Sequence, residues 1–275
     1  MFGKRKLSIL VWSVISSSII TLSSCEEGGR LESVSISGST QGTTYSIIIV
    51  DDECSVSKIQ IDSLLKNFDS SLSTYIEGSL ISQLNTSTDS LTFKDDYGFF
   101  SKCYQLSMEV YKKTNGLFDP SVFPLVDGYG FMNDLKTPIF KHELDSILKF
   151  VSFQSDLLHS FKVDNGLVKF AKKDGRFKLD FNAIAQGYSV DVLSSYIEKA
   201  GYSNYYIEIG GEIFVKGYNR EGEKWKIGID VPSEDSIERE IENILHISNK
   251  GIATSGNYRK FYIKDGIKYS HTIHP

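Results

Sequence analysis

The residues with the most capacity for chemistry fall between Lys178 and Ile213, KLDFNAIAQGYSVDVLSSYIEKAGYSNYYIEIGGEI. An acidic strand end at Asp180 runs into a helix that opens at Asn182 and carries a bare Gly187. A second strand then ends on Gly210-Gly211-Glu212. Helix N-termini present unpaired N–H donors and a positive dipole end, and glycines let backbone approach an anion closely. The pattern suits a phosphorylated ligand.

Further polar and glycine motifs are spread along the chain: Gln41-Gly42-Thr43-Thr44-Tyr45, Leu72 to Tyr75 with Ser79, Ser82 and Asn85, Phe118-Asp119-Pro120, Ala253 to Gly256, and Ser270 to Ile273. Each has an ordinary structural reading. Asp119 before Pro120 reads as a turn residue, and Asp180 with Asn182 as the cap of the next helix. Gly210-Gly211 reads as a hairpin turn, Tyr75 as amphipathic packing and His271 as a half-buried strand histidine. No GxxxxGK[ST], HExxH, GxSxG or post-strand GxGxxG motif occurs, which removes the phosphate-loop, zincin, serine-hydrolase and Rossmann readings.

The elements that must position these residues follow from pattern. Val34 to Val50 predicts two strands joined through Thr40-Gln41-Gly42. Ile59, Leu64, Leu65 and Phe68 predict a helix that ends near residues 72–75. A second helix spans about 97–113, with Leu106, Val110 and Tyr111 on one face and Asn115-Gly116 as its stop. The run LFDPSVFPLVDGYGF is expected to be irregular because of Pro120, Pro124 and two glycines, and 142–151 to be a short helix. Hairpin strands are expected over 161–180, around Asp164-Asn165-Gly166 and Lys173-Asp174-Gly175. A helix over 182–200 points Ile184, Tyr188, Val192, Tyr196 and Ile197 inward. Strands follow at roughly 205–218, 225–231, 244–255 and 258–273. The fold class is α+β, a mostly antiparallel sheet packed with helices.

The first residues read as an export leader, Lys4-Arg5-Lys6 followed by an apolar run diluted with serines. Leu22-Ser23-Ser24-Cys25 matches a bacterial lipobox. The expected organisation is therefore a signal peptide over 1–24, a lipidated Cys25 and tether over 25–33, and one domain over 34–275. The protein is expected in the cell envelope, extracytoplasmic and lipid-anchored to a bacterial membrane. Composition is 40% hydrophobic and 24% charged with net charge −5, and this lack of basic excess argues against nucleic acid as a partner. Cys54 and Cys103 leave a disulfide and two small buried hydrophobes equally open.

Taken in order, the motifs GTTY, LSTYIEGSLISQLN, GLFDPSVFPLVDGYGF, KLDFNAIAQGYSVD, IEIGGEI, WKIGIDVP, ATSGNYRKFY and YSHTI resemble the FAD:protein FMN transferase family of ApbE type, from about residue 38 onward. The resemblance implies the flavin transferase fold and FAD as substrate. It also implies Mg2+ as cofactor, and transfer of FMN to a threonine hydroxyl of a target flavoprotein with release of AMP. By the same resemblance Gln41, Tyr75, Leu117, Phe118, Asp119, Asp180, Gln186 and Ile273 line the flavin-nucleotide pocket. Ala183 offers its carbonyl to the metal, and His271 is the base for the incoming hydroxyl. Two departures stand out. Gln186 is neutral where the family commonly carries charge. His274 stands where the family has Asp, and the sequence stops at Pro275, before the stretch carrying the family's Asp and Thr metal ligands. This expectation of a C-terminally incomplete domain leaves two alternatives beside the transferase, an FAD pyrophosphatase and a flavin-binding lipoprotein without catalysis.

Overall fold

A computed structural model describes residues 31–132, 139–153, 159–231, 241–256 and 261–273. The leader, Cys25 and His274 lie outside the described residues. Strands β1 (Val34–Thr40) and β2 (Thr43–Ile49) form a hairpin closed by Gln41 and Gly42, at φ 51° and 72°. Two successive left-handed residues match the right-handed twist of paired strands. Helix α1 (Lys58–Leu72) opens on a capping box in which Ser57 N–H donates to Gln60 Oε1 at 2.8 Å and the Ser57 hydroxyl accepts from Gln60 N–H. Its inward stripe is Ile61, Leu65, Phe68 and Leu72. Ile59, counted in the helical spacing, is 81% exposed, because it stands two residues before Ile61 and so about 200° around the helix.

Helix α2 (Leu80–Thr86) and strand β3 (Ser90–Lys94) come next, both too short to show a period in the sequence. Helix α3 (Phe99–Lys113) buries Phe99, Phe100, Cys103, Tyr104 and Ser107; of the predicted face, Tyr111 packs against the aromatic rings of the interior while Leu106 and Val110 border a cavity. The segment expected to be irregular holds a 3-10 turn over Pro120–Val122 and a short helix α4 (Phe123–Gly128). Pro124 is tolerated there because it stands in the first turn, where its missing N–H has no intrahelical partner to lose. Helix α5 (Lys141–Ile147) occupies the predicted position. Strands β4 (His159–Asp164) and β5 (Leu167–Lys172) form the hairpin at Asn165-Gly166, and β3 takes the free edge of β5. The second expected hairpin is absent. Past Lys173 to Gly175 the chain runs extended without a strand partner into helix α6 (Asn182–Lys199).

Strands β6 (Tyr205–Ile209) and β7 (Glu212–Lys216) meet at Gly210-Gly211, followed by β8 (Trp225–Asp230), β9 (Ile241–Ile247) and β10 (Lys250–Ile252). A last hairpin joins β11 (Phe261–Lys264) to β12 (Ile267–Ser270). The main sheet runs β1-β2-β6-β7-β10, and every pairing among the described residues is antiparallel, as the α+β class requires.

Two cores share α1 and α6. One packs Ile47, Ile49, Ile61, Leu65, Leu193, Ile197 and Ile207 between the main sheet and the two helices. The other gathers Phe68, Ile81, Leu84, Phe100, Phe153, Phe170, Phe177, Leu179 and Phe181 around α2, α3 and the β3-β5-β4 sheet. The α6 side chains Ile184, Tyr188 and Val192 lean on this aromatic core, while Val190, Leu193 and Ile197 belong to the first. The N-terminal half of α6 therefore lies at the seam between the cores. Cys103 is fully buried in the aromatic core and Cys54 borders the other; both are free thiols, which settles their pairing against a disulfide.

Lys172 is 4% exposed, and its ammonium donates to the carbonyls of Leu84 at 2.9 Å and Gly175 at 3.4 Å. Burial, reinforced by the charge of Lys178 and offset in part by Asp174, lowers its pKa from 10.5 to about 8. Between those values the unfolded chain binds more protons than the folded one, so this contribution to stability rises with pH across that window and is lost as pH falls through 8. Denaturation of wild type and Lys172→Met at pH 7.5, 8.5 and 9.5 is expected to show the difference moving in favour of wild type. Its slope is bounded by about 1.4 kcal/mol per pH unit. Parallel curves would refute the shift.

Candidate active site

The extended segment before α6 alternates. Phe177, Leu179 and Phe181 are fully buried, which turns Lys178 and Asp180 the other way. Asp180 N–H donates to the Pro120 carbonyl at 2.7 Å, and Asp180 Oδ1 accepts from Asn182 N–H at 2.7 Å. The N-cap of α6 is Phe181, with no side-chain cap bond, so Asp180 is not the cap; from one residue earlier its carboxylate satisfies the first helical N–H, and its backbone docks the Pro120 loop against the start of α6. Asn182 Nδ2 donates to Thr74 Oγ1 at 3.1 Å, which draws the loop after α1 to the same place. Tyr75 on that loop is 65% exposed as a residue. Partial burial of its phenol, and then the charge of Asp180, hold its pKa above the ordinary value. Leu117 is 64% exposed on the neighbouring loop and Phe118 is half-buried. Asp119 is committed internally: Oδ1 accepts from Ser121 N–H at 2.7 Å and from the Ser121 hydroxyl, and Oδ2 accepts from Phe153 N–H at 3.2 Å. It shapes the loop that presents Leu117 and Phe118.

On the other flank of α6, Gln186 lies against the backbone of Gly210. Gly210 and Gly211 both take positive φ, 57° and 100°, and Glu208 Oε1 accepts from Gly211 N–H at 2.7 Å. The Ser189 hydroxyl donates to the Gln186 carbonyl at 2.7 Å and faces Gln41 Oε1 at 3.5 Å. Burial raises the Asp69 carboxyl pKa, and hydrogen bonding from Thr40 and from the backbone and side-chain amides of Gln41 offsets part of that rise. Gln41, Gln186 and the glycine turn, far apart in sequence, are thereby brought together.

A cavity of about 450 Å³ opens beside them, with Ala183, Gln186, Asp191, Glu212, Thr254 and Ser255 in its wall. Partial burial raises the carboxyl pKa of both Asp191 and Glu212 above the ordinary values. Among the described residues no Lys or Arg lines this cavity. Ala183, Gly187 and Asp191 follow each other at four-residue spacing on one face of α6, a signal that could have found Asp191 from the sequence. Glu212, Thr254 and Ser255 stood in motifs that carried no assigned role. His271 and Ile273 do not line the cavity. They follow β12 on the last hairpin, which is tied to the loop after α4 by ring contacts Tyr129–Tyr269 at 6.3 Å and Phe131–Tyr262 at 5.4 Å.

The donor chemistry of the cavity fits a hard dication. Among the described residues its wall offers carboxylates, hydroxyls and amide oxygens, with no thiol or imidazole, and Mg2+ takes oxygen ligands while keeping waters or substrate phosphates. Among the described residues no three His, Cys, Asp or Glu side chains gather as a protein-only cage.

Comparison with known proteins gives the family and the fold. The model of the ApbE family matches residues 41–275. The chain is 33% identical over 268 residues to a Vibrio cholerae protein named FAD:protein FMN transferase, covering 96% of this chain and 77% of that one. It is 29% identical to a Haemophilus influenzae protein of the same name, covering 93% and 74%. In structure it is similar to the flavin transferase ApbE from Vibrio cholerae, with TM-score 0.72 and 31% identity over 88% of this chain and 75% of that chain. The apo flavinyl transferase ApbE of Pseudomonas stutzeri shares the fold, with TM-score 0.74 and 24% identity over 90% and 76% of the two chains.

Proposed function

The chain belongs to the ApbE family, and from that membership we propose that it is an FAD:protein FMN transferase, an enzyme that splits the FAD pyrophosphate, passes FMN to a threonine hydroxyl of a target flavoprotein and releases AMP. The observation that supports this reading most is the convergence at the N-terminal half of α6. There the loops of Tyr75 and Pro120, Asp180, Gln41, Gln186 and the Gly210-Gly211 turn surround the start of one 18-residue helix. The positive end of that helix favours phosphate. The adjoining wall works against it, because Asp191 and Glu212 stand there with no basic side chain beside them among the described residues.

A pyrophosphate would therefore enter with its charge compensated, the physical ground for Mg2+ dependence. Ala183 would hold that ion through its carbonyl, beside Asp191 and Glu212, and when bound it supplies neutralisation of charge on the phosphates. The chain's own residues bind and orient. Exposed Tyr75 and Leu117 offer apolar area for the flavin, and Gln41 and Gln186 offer amide groups. His271 accepts the threonine proton as the hydroxyl oxygen bonds to the FMN phosphorus and the bond to the bridging oxygen breaks, AMP leaving with that oxygen.

Incubating the protein with FAD, Mg2+ and an acceptor domain is expected to yield a fluorescent flavin band that survives denaturation, with AMP released in equal amount and both abolished by EDTA. AMP with free FMN and no labelled acceptor would replace this reading with the pyrophosphatase. Bound FAD with no AMP would replace it with the non-catalytic lipoprotein. Anchoring through lipidated Cys25, facing out of the cytoplasm, belongs to the same proposal; Cys25→Ala is expected to move the protein from the membrane fraction to the soluble one.

A further inference from the structure

We propose that helix α2 is the bracket that positions the two halves of the flavin-nucleotide site, with Asn85 as its positioning residue; this rests on the FAD-binding reading above. Ser79, Ser82 and Asn85 recur in a sequence motif, yet no residue of α2 lines the α6 cavity. Their contacts run elsewhere. At the N-terminal end of the helix the Ser79 hydroxyl donates to the Ser73 carbonyl at 2.6 Å and the Ser82 hydroxyl donates to the same carbonyl at 3.3 Å. Ser79 Oγ also accepts from Ser82 N–H at 3.1 Å, so one oxygen caps the helix and grips the loop. Tyr75 stands two residues beyond the gripped carbonyl, and its N–H donates to Ser73 Oγ at 3.3 Å.

At the other end Asn85, 6% exposed, engages one residue twice: its Nδ2 donates to the Leu179 carbonyl at 2.8 Å, and its Oδ1 accepts from Leu179 N–H at 2.8 Å. Leu179 directly precedes Asp180 and lies in the extended run that no strand accompanies. Backbone N–H and C=O groups buried away from water need partners, and a primary amide is the uncharged side chain that offers a donor and an acceptor side by side. Lys172 reinforces this end through the Leu84 and Gly175 carbonyls. A helix of seven residues thus sets the separation between the Tyr75 loop and the Asp180 segment without lining the α6 cavity itself.

The test is FAD titration by fluorescence quenching, with hydrogen exchange of peptides covering 73–76 and 177–181, well below each variant's melting temperature. Asn85→Asp keeps the acceptor for Leu179 N–H and turns an oxygen toward the Leu179 carbonyl. It is expected to weaken FAD binding about tenfold or more and to deprotect 177–181. The double variant Ser79→Ala, Ser82→Ala, which leaves Asn85 in place, is expected to deprotect 73–76 and weaken FAD in the same way. Ser194→Ala removes the buried hydroxyl pair with Tyr205 at 2.7 Å in the other core; it is expected to lower the melting temperature and leave FAD affinity at the wild-type value. Unchanged affinity in both bracket variants, or an equal loss in Ser194→Ala, overturns the proposal. A wild-type chain that binds no FAD overturns the functional reading and the ligand half of the bracket with it. Unchanged exchange at 73–76 and 177–181 would then overturn the bracket itself.

Discussion

A Gly210→Val variant is expected to lose FAD binding by more than about tenfold and to be destabilised by about 2–5 kcal/mol, the sum of two separate costs. At φ 57° a β-branched residue is strained by the approach of its Cβ to the backbone, about 1–2 kcal/mol. An added Cβ would also overlap Gln186 Nε2 and stand 2.7 Å from Thr43 Cγ2, overpacking worth about 1–3 kcal/mol. The second cost falls on the site, since Gln186 must leave its place between the glycine turn and the Gln41 hairpin. Gly222→Val separates the two. Gly222 has φ 75°, and a Cβ there meets nothing within 4 Å. It is expected to show the strain alone, with FAD affinity kept. Equal FAD loss in the two variants would refute the role of the Gly210 approach.

Replacing His271 by alanine is expected to lower the flavinylation rate constant about 10²–10⁴-fold, the usual contribution of a positioned proton acceptor, while FAD affinity stays near wild type. The residue is exposed just past β12 and is not part of the wall of the α6 cavity. Single-turnover transfer to an acceptor domain, measured beside FAD titration, separates the effects. Loss of affinity equal to the loss of rate would assign His271 to nucleotide binding instead. Retained transfer would remove it from the chemistry.

Much of the fold was legible because its signals are local. The Gln41-Gly42 and Asn165-Gly166 turns, the Asn182 helix and the glycine pair after β6 each rest on a backbone preference confined to a few residues. What escaped was short or dependent on distant partners. Helix α2 and β3 have too few turns or pleats to show a period. The run after Gly175 alternates like a strand, yet its hydrogen bonds go to Asn85 and Pro120 instead of a neighbouring strand. The buried face of α3 was misjudged because Leu106 and Val110 are as apolar as the residues that reach the core, and hydrophobicity alone does not distinguish a cavity wall from an interior.

By itself the sequence determined the α+β class and the residue types available for an anionic ligand, carried by composition, spacing and turn chemistry; the family came from the likeness of its ordered motifs. Tertiary structure alone decided which of these meet. It joined Gln41 to Ser189 and Gln186 to Gly210, and set Asp191 and Glu212 in the wall of one cavity. It turned Asp119 inward as a loop cap, and it left Cys54 and Cys103 in separate cores. Such contacts arise from packing α1 and α6 across two cores, between residues up to 148 positions apart, a separation that no local preference encodes.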